Sequence, residues 1–239
     1  MRLAPGLHRV GNDIVACYLV VTDDGMTLVD AGLPGHWNDL EAELASLGRS
    51  LDDIRGIVLT HGDADHIGFA ERLRVRNGIP VYVGRADAAR ARGTEKTSPA
   101  WGRFRLGATL GFLAYGMRKG AAKTHHLTEV VEVDDGDVLD LPGSPRVLAL
   151  PGHSPGSIAI HVPAVDAVFV GDGLTTRHVL TGATGPAPAP FTDDTAEALH
   201  SLDNVAELEA RWVLPGHGAP WDGGAAEAVR RVRAAATTS

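Results

Sequence analysis

The sequence has 239 residues, 44% of them hydrophobic, with 22 Lys and Arg against 30 Asp and Glu and a formal net charge of −8. That is enough apolar material for one large core, and the acidic balance disfavours non-specific binding to nucleic acid or to anionic membranes, although it leaves room for a local basic patch. The early apolar run from Ile14 to Val21 is too short for a membrane span or a secretory core, and its single Cys17 excludes an internal disulfide framework, so a buried thiol and a cytoplasmic location are expected.

Taken in chain order, two β-rich runs flank "DDG" at residues 23–25 and predict a hairpin. "HWNDLEAELASLG" places Trp37, Leu40, Leu44 and Leu47 at helical spacing before a stop at Gly48. "IRGIVLT" is a short buried strand, "FAERLRVRNG" a helix ending near Gly78, and "PVYVG" another buried strand. Strand and helix alternate, which is the pattern of an α/β fold. The second half gives strands within residues 130–141 and 146–162 and in "AVFVGDGL", one helix over 194–210 with Ala198, Leu202, Val205 and Leu208 on a face, and a last strand in "RWVLPGHG". The whole of residues 1–239 reads as a single unit.

Between the halves, residues 94–129 differ in composition and predict a helical insertion. Lys96, Arg103, Arg105, Arg118, Lys119 and Lys123 face only Glu95 and Glu129, while Trp101, Phe104, Leu110, Phe112, Leu113, Tyr115 and Met117 supply apolar mass. Two readings fit: a lid or channel wall whose basic residues meet an acidic substrate, or a solvated basic face on helices packed against the core or a second subunit. Tyr115 could donate a proton in the first reading and is a buried aromatic in the second.

Chemistry concentrates in "VLTHGDADHIG". His61, Asp63 and Asp65 alternate, so extended backbone sends all three to one side, and a turn brings His66 beside them. A helix starting there would favour the carboxylates through its dipole, whereas the plainer reading is a polar loop capped by Asp65. His153, Asp172 and His217 each follow an apolar strand in a Gly-containing turn. Four His and three Asp suit zinc, iron or manganese and exceed what one ion normally uses. Ser154 and Ser157 read as turn structure around His153 rather than as a nucleophile. His125 and His126 read as a surface pair, and His36 matches no ligand motif.

The order THxDxDHxG, PGHSPGS, GD and PGHG, from "LVDAG" at residues 28–32 through His217, resembles the metallo-β-lactamase fold superfamily. The resemblance implies an α/β architecture, an αββα four-layer sandwich with a dinuclear site at one edge of its sheets. It implies that His61, Asp63 and His153 hold one ion, that Asp65, His66 and His217 hold the other, and that Asp172 bridges them. Asp30 would orient a ligand or simply make a turn. The family's commonest motif is HxHxDH, so Asp63 replaces a histidine. That leaves about one positive charge less at the centre, which should raise the pKa of bound water and make the site more oxygen-rich.

The implied activity is metal-dependent hydrolysis of a small-molecule ester, thioester, lactone or amide by a metal-bound hydroxide, with Asp65 also catalytic as a proton carrier. Two divalent ions are expected, zinc first, with iron or manganese compatible. The alternatives are an iron-dependent oxidoreductase, because flavodiiron enzymes also carry a carboxylate at that position, and a weakly catalytic metal-binding domain. No nucleic-acid or membrane partner is expected. An acidic small-molecule substrate and a homodimer stay open.

Overall fold

The computed structural model describes residues 1–95 and 101–237, and Lys96 of the basic insertion lies outside them. In chain order the elements are β1 (Arg2–Ala4), β2 (Leu7–Gly11), β3 (Ala16–Thr22), β4 (Gly25–Val29), α1 (Trp37–Ser46), β5 (Ile54–Val58), α2 (Ala70–Asn77), β6 (Val81–Gly84), α3 (Ala88–Ala91) and α4 (Leu106–Arg118). They continue with β7 (Val131–Val133), β8 (Arg146–Ala149), β9 (Ile158–Val162), β10 (Ala167–Gly171), β11 (Thr175–Arg177), β12 (Thr184–Ala187), α5 (Thr195–Ser201), α6 (Asp203–Ala206), β13 (Trp212–Pro215) and α7 (Ala225–Ala236).

Two sheets stack face to face. One runs β1-β2-β3-β4-β5-β6-β7 and the other β13-β10-β9-β8, with β11 and β12 forming a small ribbon. The first begins as an antiparallel meander and becomes parallel from β4 to β7. The period-2 alternation of strands sorts apolar side chains into three cores. Tyr18 and Val20 of β3 point between the sheets with Val58, Ile160, Phe169 and Leu214, whereas Cys17 and Leu19 point outward to Trp37, Leu40 and Leu44 of α1 and Leu73 of α2. On the far side, Val168, Val170 and Val213 meet Val205, Ala228, Val229 and Val232 of α6 and α7. Helix, sheet, sheet, helix is the αββα sandwich that the sequence implied. Cys17 is fully buried, and burial pushes its thiol pKa far up, consistent with an inert core residue.

Three local readings change. The first residues form β1 and β2, which no pattern in the sequence announced. The helix expected over 194–210 breaks at Leu202 into α5 and α6; Asp194 caps the first by accepting from the Glu197 N–H at 2.9 Å. Helix α7, also unforeseen, presents Ala225, Ala228, Val229 and Val232 at the i, i+3, i+4, i+7 spacing of a core-facing stripe. Among the described residues no helix is long and apolar enough to cross a membrane.

Candidate metal centre

Every predicted ligand leaves the end of a buried strand at the same edge of the sandwich. His61, Asp63, Asp65 and His66 follow β5, His153 precedes β9, Asp172 follows β10 and His217 follows β13. The first four sit on a tight turn closed by His66 N–H donating to the Asp63 carbonyl at 2.9 Å. Helix α2 does not start there. It begins at Ala70, beyond the turn and with no side-chain cap, so neither helix-dipole support for the carboxylates nor a cap by Asp65 applies.

The side chains converge in three overlapping groups whose ligating atoms lie within 4.8 Å of one another: His61, Asp63 and His153; Asp65, His66 and His217; and His61, His66 and Asp172. Asp172 lies between the outer two, with Oδ2 at 3.1 Å from His217 Nε2 and 3.8 Å from His153 Nε2, and Oδ1 at 3.6 Å from His66 Nε2. Asp65 Oδ2 is 3.4 Å from His217 Nε2. The Nε2 atoms of His61, His66 and His153 and Oδ1 of Asp172 are buried with no hydrogen-bond partner among the described residues. Unpaired buried polar atoms cost free energy. Their convergence, and the chemistry of an imidazole and carboxylate set, fit divalent cations such as zinc. Gly216 keeps the space clear, since a Cβ there would lie 2.4 Å from His66 Cε1 and 2.7 Å from Asp172 Oδ1.

Each imidazole is aimed from behind. His66 Nδ1 meets Asp30 Oδ2 at 2.9 Å, His61 Nδ1 meets Thr60 Oγ1 at 3.1 Å, His153 Nδ1 meets Thr192 Oγ1 at 3.3 Å, and His217 Nδ1 bonds the Ile14 carbonyl. With Nδ1 held, Nε2 is the nitrogen presented inward. Asp30 also accepts from Thr60 N–H at 2.8 Å and holds a φ of 60°, so it makes the strained turn and orients His66 at once.

Electrostatics follow from this crowding. Burial, then the neighbouring His66 and His153 rings, holds His61 well below the ordinary histidine value. Burial opposes charge on His66 and His217 too, yet the carboxylates of Asp30 and Asp172 push His66 up to about 10, and Asp172 with Asp65 pushes His217 up to about 9. Burial would raise Asp63 and Asp172, but histidine neighbours, with Arg90 beside Asp63, hold both well below the usual carboxylate range.

Two further residues complete it, and no metal motif could have announced them. Arg90 of α3, only 4% exposed, places Nε 2.9 Å from Asp63 Oδ1 and Nη1 3.2 Å from Asp193 Oδ2. Asp63 thus turns one oxygen to Arg90 and the other to His61 and His153, at 3.6 and 3.5 Å. One turn earlier, the buried Asp87 accepts from Gly62 N–H at 2.8 Å, Ser154 Oγ at 2.7 Å and Gly156 N–H at 2.7 Å, tying the His61 loop to the His153 loop. Ser154 and Ser157 therefore serve the loop, as expected. The one available signal was the i, i+3 spacing of Asp87 and Arg90 in "GRADAARARG".

The insertion contributes a wall. Phe112 of α4 lies 6.3 Å from the His217 ring and 6.4 Å from that of Phe191, whose backbone sits at φ 63°. Tyr115 is buried, its oxygen 2.7 Å from His36 Nε2. Neither His36 nor the exposed His125 and His126 joins a ligand group.

Comparison with known proteins agrees with this geometry. The family model of the metallo-beta-lactamase superfamily matches residues 10–217. The chain is 28% identical over 232 residues to the probable metallo-hydrolase YflN of Bacillus subtilis, covering 92% of this chain and 86% of that protein. It is 32% identical over 216 residues to Rv2581c of Mycobacterium tuberculosis, covering 84% and 85%. Among solved structures, the metallo-beta-lactamase family protein TTHA1429 of Thermus thermophilus superposes with a TM-score of 0.72 at 25% identity, over 99% of this chain and 81% of that one. The subclass B3 metallo-beta-lactamase BJP-1 of Bradyrhizobium japonicum shares the fold, with a TM-score of 0.70 at 20% identity over 100% and 92% of the two chains.

Proposed function

Because the chain belongs to the metallo-beta-lactamase superfamily, which supports a metal-dependent hydrolase, we propose that it hydrolyses a small-molecule ester, thioester, lactone or amide with two divalent ions. His61, Asp63 and His153 would hold one ion, Asp65, His66 and His217 the other, with Asp172 between them. The observation that carries this reading is the set of buried, unpartnered Nε2 and Oδ1 atoms of His61, His66, His153 and Asp172, brought together from three strand ends. Zinc is the first choice, and the oxygen of Asp63 also admits manganese or iron. When bound, such ions lower the pKa of a water and polarise the substrate carbonyl.

The chain's own residues do the rest. Asp65, partly exposed and beside His217, would take a proton and pass it to the leaving group. Asp87 and Asp30 hold the loops so that the Nε2 atoms of His61, His153 and His66 keep their directions. Phe112 and Phe191 exclude water from the His217 side and favour a substrate with an apolar group next to the bond cleaved. A cytoplasmic location suits a reduced, buried Cys17.

The test is elemental analysis of protein purified without added metal, alongside thioester, lactone, ester and phosphodiester substrates. About two ions per chain and carbonyl hydrolysis lost in Asp65→Asn with full metal loading would support the reading. Iron with oxygen-dependent turnover and no hydrolysis would replace it with redox chemistry. Full loading without turnover would leave a metal-binding domain.

A further inference from the structure

Helix α4 has two apolar faces and only one of them is packed. Inward, Thr109 Oγ1 donates to the Leu180 carbonyl at 3.0 Å, Phe112 approaches His217, and Tyr115 is buried against Val15 and Leu33. Outward, Leu106, Leu110, Leu113 and Met117 follow one another at i, i+4, i+7 and i+11 and are 68, 55, 42 and 80% exposed. Phe104, 62% exposed, stands just before the helix. A helix on the surface of a globular protein normally gives its outer face to polar residues, and a contiguous apolar patch of this kind marks a docking surface.

The charges around the stripe identify what it docks on. Residues 101–123 hold Arg103, Arg105, Arg118, Lys119 and Lys123 and no Asp or Glu, in a chain whose net charge is −8. Lys119 pairs with Asp39, whereas Arg103, Arg105, Arg118 and Lys123 have no acidic partner among the described residues. We propose that this face lies flat on an anionic lipid bilayer, its apolar side chains at the boundary of headgroups and acyl chains and its cations on the headgroups. A second copy on the same face would bring basic ends against basic ends. An anionic surface accommodates both stripe and charge, and the acidic remainder of the molecule is repelled from it, which fixes the orientation.

The attachment is interfacial, since no described helix can span a bilayer. This revises the expectation of no membrane partner, which rested on net charge; the basic patch is local. Because the inward face of α4 borders the metal centre, docking sets the mouth of that centre at the lipid surface. The proposal is independent of the hydrolase reading.

The experiment is co-sedimentation of the full chain with vesicles of phosphatidylcholine alone and of phosphatidylcholine mixed with phosphatidylserine. Binding is expected only to the mixed vesicles and should weaken as salt is raised. Arg103→Gln with Arg105→Gln should lower partitioning about 25-fold, at roughly fivefold per charge. Leu106→Gln, Leu110→Gln and Met117→Gln together should abolish it while leaving the melting temperature unchanged, because these side chains are exposed. Absence of binding to the mixed vesicles, binding unaffected by the triple variant, or a dimer in sedimentation equilibrium that the triple variant dissolves would each overturn the proposal.

Discussion

The two halves of the metal centre are built with opposite charges behind them. At the His66 half, a carboxylate backs a histidine: Asp30 grips Nδ1 and leaves Nε2 facing inward. At the Asp63 half, a cation backs a carboxylate: Arg90 forms an ion pair with Oδ1, and Oδ2 faces His61 and His153. The aspartate that replaces the usual histidine thus does not simply add a negative charge, because the guanidinium returns a positive one at 2.9 Å. The sequence-based expectation of a less electrophilic centre loses much of its force, since a screened pair acts more like a neutral ligand. Asp193, 37% exposed, sits in water at the other end of Arg90 and offsets it only weakly.

The two halves join at Asp172. Asp172 touches both halves, so Asp172→Ala should lower metal content at both and reduce hydrolysis about 10³-fold; full loading with normal turnover would mean that the halves do not share it. Restoring the common motif should harm this chain. Asp63→His would leave Arg90 buried against an imidazole, at a cost of about 3 kcal/mol in unfolding free energy, because Asp193 still holds one end of the guanidinium. It should also weaken metal binding at that half. Calorimetry on Asp63→His with and without Arg90→Gln tests this, and a double variant no better than the single one would show that the pair is not coupled.

At the other half, Asp30→Asn should weaken metal binding there by about 10- to 100-fold while sparing the Asp63 half. Titration with a competing chelator would resolve the two affinities, and an equal loss at both would point to loop collapse instead. The smallest effect separates fold from centre. Leu33 N–H donates to His36 Nδ1 at 2.8 Å, so the ring proton is on Nε2, directed at the Tyr115 oxygen. Burial first, then the charge of Lys119, lowers His36 from 6.5 to about 4. The unfolded chain therefore takes up a proton that the folded one refuses. Above 6.5 the group contributes no pH dependence, and between 6.5 and 4 stability should fall with pH, by about 1 kcal/mol near pH 5.5. Denaturation of His36→Phe across this range should lack that component.

Much of the molecule was legible because its signals are local. The β3–β4 hairpin carries its turn as "DDG", α1 carries its apolar spacing, and the ligand types stand next to the strand ends that project them. Helix α7 was legible in principle, since Val229 and Val232 keep the helical period. The break at Leu202 was not, because the apolar period runs through it, and only packing against the second sheet decides where the axis turns. Thr60 and Thr192 looked like ordinary loop hydroxyls until the fold set them behind His61 and His153.

The sequence by itself determined the α/β class, because strand period and turn chemistry act over a few residues, and the order of its His- and Asp-bearing turns carried the resemblance that pointed to the superfamily and to the seven side chains. Only the tertiary structure decided what stands behind those side chains. Arg90 lies 27 positions from Asp63 and Asp30 lies 36 from His66. Pairing of charge across such separations depends on burial and distance, which chain order does not encode. The same holds for α4: one apolar stripe reads like another in the sequence, and the packing of the other face is what left Leu106, Leu110, Leu113 and Met117 turned to the outside.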